Sequence, residues 1–496
     1  MCSTWSSKLL LCTRLSSSLT RTLHKTMNGR KRKEAPSDWG CLVAICFFVL
    51  GLGTLLPWNF FMTAILYFES RLNTTGTPTE ADNSTAEAPK DYYFNSLMTL
   101  LSQLPLLLFT LLNSILYQRI SEAMRIGGSL VFILLLFILT TVLVKVEMDT
   151  DRFFSVTMAT IWFINSFGAV LQGSLFGLVG MFPQKYSSIF MSGQGLAGTF
   201  AAIAMLLSIA RNVDMTSMAL GYFVTPCVGT LFTLFCYLLL RRLKFAEYYL
   251  DKSDKYEEDT TNQLLTFESS AVGNDKLNGH ANGSVASSPK KDGALQEGKV
   301  DVAKQAFVSL EQVEKNQAKS SVIEVFKKIW VMAFCVTFVF TVTLSVFPAI
   351  TANVQTMYTG DWERYFICVC CFLTFNLNDW LGRTITTCVR WPRKESRLFP
   401  LLVVSRVVFI PLLLLCNIQI SNVRHLPVLF YHDAAFTIIM ALFSLSSGYF
   451  VCLSMSYAPQ MVEGKDAETA GALMTFFLAL GLSIGALLSF PLRILV

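Results

Sequence analysis

The sequence has few charged residues: Asp, Glu, Lys and Arg make up only 15% of its 496 residues. Soluble globular proteins carry about a quarter charged residues. Hydrophobic residues account for 53% of this chain, and many of them stand in long runs. About twenty apolar residues in a helix span the core of a bilayer, where backbone hydrogen bonds must be made within the segment. The composition therefore excludes a soluble protein and predicts a polytopic, all-α membrane protein.

Motifs of enzymes and ATP-driven pumps are absent as well. The chain contains no Walker A sequence and no HExxH motif. It has only four histidines, none of them in a predicted span, and Asp379 is the only acidic residue that we place deep in the membrane. A proton relay needs Asp, Glu or His side chains in several helices. We therefore predict a protein that is not an enzyme, needs no cofactor and favours facilitated diffusion over proton coupling.

The net charge of +6 does not indicate a nucleic-acid partner, because the basic residues form short clusters beside apolar runs. Most of the 13 cysteines lie inside those runs, so we predict no disulfide framework. Cys368 and Cys371 form a CxxC motif without nearby His or carboxylate partners, and we predict no metal site there.

Eleven apolar runs are long enough to be read as membrane spans. Their predicted bounds are 40–67, 95–117, 126–147, 153–181, 188–210, 218–240, 326–357, 364–388, 398–418, 433–457 and 468–493. Basic residues concentrate at alternate ends of these spans, namely at Arg30 to Lys33, Arg119, Arg125, Lys185, Arg241, Arg242, Lys244, Arg390, Arg393, Lys394 and Arg397. Because such ends face the cytoplasm, we predict a cytoplasmic N-terminus and an extracellular C-terminus.

The glycosylation sequons fit this orientation. Asn73 and Asn83 lie in the loop 69–94, which we place outside, whereas Asn282 lies in a loop that we place inside and should stay unmodified. We predict residence in the plasma membrane. A lysosomal location remains an alternative, because Leu9 and Leu10 form an N-terminal dileucine, although no acidic residue precedes it.

The predicted domains follow from the spans and from the polar segments between them. Residues 40–240 form a bundle of six helices, and residues 326–496 form a bundle of five. The polar segment 241–325 lacks apolar periodicity and is predicted to be a disordered cytoplasmic loop, with Ser288 as a weak candidate for phosphorylation. Residues 1–39 form a cytoplasmic tail. Residues 1–33 contain no Asp or Glu and resemble a mitochondrial targeting segment, and the favoured alternative is a disordered tail or an upstream extension over 1–26 with Met27 as the start.

The eighth predicted span contains a charged pair. Asp379 and Arg383 are four residues apart and share a helix face, with Asn376 on the same stripe. Burying charge in a membrane costs about 3 kcal/mol or more, so such residues usually serve function. The pair either holds helices together or lines a substrate cavity, where Arg383 would donate to hydroxyl or carbonyl oxygens.

Two further spans carry polar groups among apolar residues. In the first, Pro57 interrupts the helical hydrogen bonds and is followed by Trp58 and Asn59. Trp58 is either an interfacial anchor or a ligand-binding residue. In the fourth, Gln172 offers a donor and an acceptor that can read the edge of a nucleobase.

Several stretches resemble the equilibrative nucleoside transporters. They are PWNFF (57–61), LPLLLFTLLNS (104–114), INSFGAVLQGSLFG (164–177), SGQGLAG (192–198), FNLNDWLGR (375–383) and GALMTFFLALGLS (471–483). The resemblance runs from residue 39 to the C-terminus and is greatest to the type 2 branch. It implies a 6+5 relative of the major facilitator fold that transports purine and pyrimidine nucleosides by alternating access, as a monomer and without sodium. Transport of nucleobases is an open extension.

The resemblance also implies a set of substrate-binding residues. They are Leu55, Trp58, Met62, Gln103, Leu106, Gln172, Phe347, Asn376, Asp379 and Arg383. By the family pattern Gln172 reads the base, while Asp379 and Arg383 act at the sugar hydroxyls. The chain departs from the type 2 pattern at Gly168, where Ser is usual. Two alternatives remain: a relative specialised for monoamines, which would need more acidic residues in the cavity, and a receptor without transport.

Overall fold

In the residues that it describes, the computed structural model is built mainly of helices. It describes residues 38–63, 94–116, 120–146, 148–210, 215–250, 321–419 and 426–496, together with residues 36 and 68. The helices are α1 Leu42–Thr63, α2 Phe94–Leu116, α3 Ser129–Lys145, α4 Thr150–Gly180, α5 Gln184–Ala210, α6 Met215–Leu240, α7 Val322–Val346, α8 Asp361–Ile385, α9 Leu398–Leu414, α10 Asp433–Tyr457 and α11 Ala467–Ile494.

The helices are long and apolar enough to confirm the predicted class. Within the described residues, nine of them satisfy the length and hydropathy of a membrane span. The apolar segments Leu101–Leu116 and Leu398–Leu414 are shorter and occupy the positions of the second and ninth predicted spans. Together they account for the eleven predicted spans of an all-α polytopic protein.

Three predicted boundaries were wrong. The seventh span was predicted to continue to residue 357, but α7 ends at Val346, because Phe347 is extended (φ −103°, ψ 133°) and Pro348 has no N–H to continue the helix. The predicted disordered loop 241–325 is ordered at both of its ends. Residues 244–250 are helical and residues 322–325 already belong to α7.

Aromatic packing explains the first of these ordered ends. The ring of Phe245 lies 5.4 Å from that of Tyr186, and the ring of Tyr249 lies 5.3 Å from that of Phe182. Partial burial of these rings stabilises the helical segment 244–250 that follows α6, although the charged residues Lys244 and Glu247 make it polar in sequence.

The helices pack in two sets, α1–α6 and α7–α11, which meet along two seams. At one seam α5 packs against α8 and α10, and at the other α2 and α4 pack against α11. Glycines allow close approach within and between the sets. A Cβ at Gly180 would lie 2.8 Å from the carbonyl oxygen of Ala467, and one at Gly195 would lie 2.9 Å from Cα of Trp380.

Candidate functional site

The predicted ion pair forms on α8. The Nε atom of Arg383 donates to Oδ2 of Asp379 at 2.7 Å, and each residue is only 7% exposed. The pairing that the four-residue spacing predicts is therefore confirmed. Charge-assisted bonds of this kind are about twice as strong as neutral ones, and the carboxylate offsets the cost of burying the guanidinium.

The pair continues into a hydrogen-bonded chain that crosses from one helix set to the other. Nη1 of Arg383 donates to Oε1 of Gln194 on α5 at 3.5 Å. Nε2 of Gln194 donates to Oγ1 of Thr54 on α1 at 3.0 Å, and the Thr54 hydroxyl donates to the carbonyl of Gly51 at 2.7 Å. Any movement of α8 away from α5 must break the bond between Arg383 and Gln194.

Small residues bring α8 close enough for these contacts. A Cβ at Gly195 would lie 3.0 Å from Cδ of Arg383, and one at Gly448 on α10 would overlap the carbonyl of Asp379. A Cβ at Gly382 would lie 2.8 Å from the backbone nitrogen of Tyr449. The part of α8 that carries Asp379 and Arg383 therefore packs directly against the backbones of α5 and α10.

Asn376 and Asn59 meet beside Gly198 at the same seam. The amide nitrogens of Asn59 and Asn376 donate to the carbonyls one turn earlier in their own helices, at 2.8 and 2.9 Å. Both side-chain oxygens approach Gly198 of α5: a Cβ there would overlap Oδ1 of Asn376 and lie 3.4 Å from Oδ1 of Asn59. Two acceptor oxygens from opposite helix sets thus converge near the ion pair.

Two predicted glutamines offer polar atoms that the described chain does not use. Gln172 on α4 is 7% exposed and makes no hydrogen bond to the described residues. Oε1 of Gln103 on α2 is buried and likewise has no partner within the described chain. A buried amide without a partner costs free energy that a ligand can recover. Gly168, one turn before Gln172, has nothing within 4 Å of its Cβ position, so space adjoins this side of α4.

The remaining predicted site residues are apolar. Phe347 stacks on Phe375 of α8 with ring centroids 3.8 Å apart, directly after the end of α7. Leu55, Trp58 and Leu106 are half-buried on α1 and α2. The side chain of Met62 lies outside the described part of the structure. The binding roles of these residues stay predictions.

A second ion pair, which the sequence did not predict, joins the helix sets. Nη2 of Arg125 contacts Oε1 of Glu468 at 3.1 Å, and Nη1 of the same guanidinium donates to Oγ of Ser174 at 3.2 Å. In the sequence Arg125 is recognisable only as an orientation signal, because a linear sequence does not tell that Glu468, 343 positions away, lies beside it. The charge of Glu468 in the first turn of α11 was the available signal.

Hydrogen bonds between described residues join the two helix sets toward one end of the helices. We call the end at which α1 begins and α10 ends the basic end, because Arg125, Lys185 and Arg241 flank it. The side-chain hydrogen bonds that join the two sets within the described residues include five in this half of the helices. They pair Arg125 with Glu468, Ser114 with Ala472, Ser192 with Thr384, Arg383 with Gln194 and Arg390 with Gln184.

A buried carboxyl also lies at the basic end. Glu122, in the turn before α3, accepts a hydrogen bond from the hydroxyl of Tyr237 at 3.1 Å. Burial raises the pKa of Glu122 above its ordinary value of 4.5, while the Tyr237 bond and the charge of Arg241 act in the opposite direction. Its proton therefore leaves the folded protein at higher pH than it leaves the unfolded chain.

At the opposite end, Asp433 organises a second polar cluster. Its carboxylate accepts from Oγ1 of Thr356, from the backbone of Met357 at 3.1 Å and from Nε1 of Trp362 at 3.0 Å. A groove of about 680 Å³ borders this cluster, lined by residues of α8 and α10 such as Trp362 and His432, and it includes none of the predicted site residues. The cluster joins the start of α10 to the start of α8 and to the segment before it.

Several predicted modification sites cannot be placed. Asn73, Asn83, Asn282 and Ser288 lie outside the described residues, as do residues 1–35. In the part of the chain that the structure describes, no group of three or more His, Cys, Asp or Glu side chains is placed to hold a metal ion.

Comparison with known proteins agrees with the sequence and the fold. Residues 158–494 match the family model described as nucleoside transporter. The chain is 53% identical over 460 residues to equilibrative nucleoside transporter 2 of Rattus norvegicus, covering 92% of this chain and 98% of that protein. It is 45% identical over 478 residues to equilibrative nucleoside transporter 1 of Homo sapiens, covering 93% of this chain and 99% of that protein.

The fold also has a counterpart among solved structures. The major facilitator superfamily proton:xylose symporter XylE, bound to 6-bromo-6-deoxy-D-glucose, superposes with a TM-score of 0.56 at 12% identity, covering 92% of this chain and 89% of that one. The two-set helix arrangement is therefore that of the major facilitator fold. Together with the matches over nearly its whole length, this shows that the chain belongs to the nucleoside transporter family, as a multi-pass membrane protein of its equilibrative branch.

Proposed function

We propose that this chain carries purine and pyrimidine nucleosides, such as uridine and adenosine, across the plasma membrane by facilitated diffusion. The identity of 53% to equilibrative nucleoside transporter 2, over 92% of the chain, carries the proposal. The buried donors and acceptors on both helix sets support it, because a nucleoside is neutral and rich in hydroxyl and amide groups that such side chains can bind.

Each polar residue has a chemical task that its geometry suits. The side chain of Gln172, which is buried and has no hydrogen-bond partner among the described residues, offers a carbonyl and an amide to the edge of the base. Arg383 is held by Asp379 at 2.7 Å and keeps further N–H groups free to donate to the oxygens of the sugar. The second oxygen of Asp379 can accept a hydrogen bond from a sugar hydroxyl. A nucleoside bound in this way links α4 of one set to α8 of the other.

Alternating access follows from the contacts at the basic end. In the conformation described here, Arg125 with Glu468 and Arg383 with Gln194 hold the two helix sets together at that end. Release of substrate there requires these bonds to break while the sets close at the opposite end. Arg383 bonds both Asp379 and Gln194. A substrate that binds the Asp379–Arg383 pair therefore changes the bond between Arg383 and Gln194, which must break for the sets to separate.

Transport is passive in this scheme. Asp379, the acidic residue that the sequence places deep in a span, is paired with Arg383 and so is not set up as a proton carrier. The basic end faces the cytoplasm, as the clusters of Lys and Arg favour, and the C-terminus lies outside. The transporter works as a monomer, and small nucleobases that satisfy Gln172 alone are weaker substrates.

Uptake into oocytes tests the proposal. Cells that express the chain from Met27 are given tritiated uridine or adenosine, with and without sodium, at about pH 5.5 and about pH 7.4, which brackets the titration of histidine. We expect saturable uptake that neither condition changes and that stops when the concentrations inside and outside are equal. Accumulation above the outside concentration, or dependence on protons, would reject facilitated diffusion, and absence of flux beside intact ligand binding would favour a receptor.

A further inference from the structure

Arg406 is a buried cation in the middle of α9. It is 2% exposed, and its guanidinium makes four hydrogen bonds, all to neutral acceptors. Two acceptors lie on α7, the carbonyl of Val339 at 3.0 Å and Oγ1 of Thr343 at 3.1 Å. The other two lie on α10, Oγ of Ser446 at 3.1 Å and the carbonyl of Phe443 at 3.3 Å. Among the described residues, no carboxylate forms an ion pair with it.

The backbone of α9 changes form at this residue. Arg406–Val408 is a 3₁₀ turn between the α-helical segments Leu398–Ser405 and Phe409–Leu414. Pro411, which lacks an N–H, leaves the carbonyl of Val407 without its usual helical donor. A 3₁₀ stretch inside a helix often marks a hinge. Here the guanidinium of Arg406 holds the 3₁₀ turn against the two neighbouring helices α7 and α10.

The acceptors of Arg406 lead to the proposed substrate site. Thr343 lies one helical turn before Phe347, where α7 ends. The ring of Phe443 lies 5.3 Å from the Arg406 guanidinium carbon and 6.1 Å from the ring of Phe375, which stacks on Phe347. The Arg406 guanidinium therefore contacts a neighbour of each ring in this stacked pair: Thr343 on the side of Phe347 and Phe443 on the side of Phe375.

A second path leads to the ion pair. Oγ1 of Thr343, which accepts from Arg406, lies 3.2 Å from Oγ of Ser447. The next residue, Gly448, touches the backbone of Asp379 so closely that a Cβ would overlap its carbonyl oxygen. The position of α7 relative to α10, which Arg406 sets, is thus transmitted to the backbone that carries Asp379.

We propose that Arg406 is a positioning residue for transport. Its guanidinium holds α7 to α10, so that the Phe347–Phe375 pair and Asp379 keep their positions as the helix sets move. The proposal rests on the transport function proposed above. Arg406 makes its own hydrogen bonds only to α7 and α10, so its loss should act mainly on the rate at which the helix sets interchange and less on substrate affinity. Charge alone is not sufficient, because a single ammonium cannot reach four acceptors on two helices.

The test measures concentration-dependent uridine uptake for Arg406→Gln and Arg406→Lys, normalised to the transporter at the cell surface. We expect both variants to lose about tenfold or more in maximal rate per surface molecule, with KM within about threefold of wild type. Val408→Ala, on the exposed side of the same turn, is the matched control and should behave as wild type. A wild-type maximal rate in Arg406→Gln, or full rescue by Arg406→Lys, would refute the positioning role.

A milder variant keeps the test decisive if the Arg406 variants fail to reach the surface. Thr343→Val conserves volume and removes one of the four acceptors, so its maximal rate should fall about two- to fivefold at normal surface abundance. A wild-type rate in Thr343→Val would overturn the proposal. Failure of the wild-type protein to transport uridine would instead reject the proposed function, so the two failures are distinguishable.

Discussion

Removal of the Arg383 side chain perturbs the site most directly. Arg383→Ala leaves the carboxylate of Asp379, which is 7% exposed, without its partner at 2.7 Å, and it also removes the bond to Gln194. Breaking one partner of a buried ion pair costs about 3–5 kcal/mol. If half of that cost raises the free-energy barrier of the transport cycle, uridine uptake drops by about tenfold or more, because each 1.4 kcal/mol of barrier is about a factor of ten in rate.

The assay must separate lost transport from lost folding. Uridine uptake is divided by the amount of transporter labelled at the cell surface, for Arg383→Ala and for the double variant Asp379→Ala with Arg383→Ala. The double variant removes both charges of this pair, so its surface abundance should exceed that of Arg383→Ala while its uptake stays low. Asn378→Ala serves as control, because the Asn378 amide bonds only the carbonyl of Thr374 on its own helix. Normal uptake per surface molecule in Arg383→Ala would refute the assigned role.

Three further outcomes are expected. Gln172→Ala should raise KM about three- to tenfold for all nucleosides, since one base-reading hydrogen bond is lost, and unchanged affinity in uptake competition would count against base recognition. Gly195→Val should nearly abolish uptake, because its side chain would press on Trp380 and Arg383, whereas Gly168→Ala should be tolerated. The raised pKa of Glu122 favours the folded state below pH 4.5, and this contribution is lost as pH rises through the folded pKa. The melting temperature in detergent should therefore fall less with rising pH in Glu122→Gln than in wild type.

The parts that the sequence predicted well are those set by local spacing. The apolar runs gave the eleven helices, and the four-residue spacing gave the pair of Asp379 and Arg383, because both depend only on neighbours along one helix. The break after α7 was also available in principle, since the residue before a proline disfavours helix. It was missed because the apolar run continues through Phe347 and Pro348 without a charge.

The parts that were missed depend on distances between helices. Gln194 looked like one polar residue in a glycine-rich helix, and only the fold brings it to Arg383 and Thr54. Arg406 was overlooked although a lone arginine in an apolar run is itself a signal, because its acceptors are backbone carbonyls and hydroxyls that no sequence motif marks. The same holds for Arg125, whose partner Glu468 lies in the last helix.

The most direct measurement of the central claim is uridine flux into liposomes that contain only the purified full-length protein. The account predicts saturable flux without any ion gradient, which reaches the same final concentration inside as outside, and faster exchange when unlabelled uridine is preloaded. Flux that appears only when a proton or sodium gradient is imposed, or that accumulates uridine against its gradient, would contradict it.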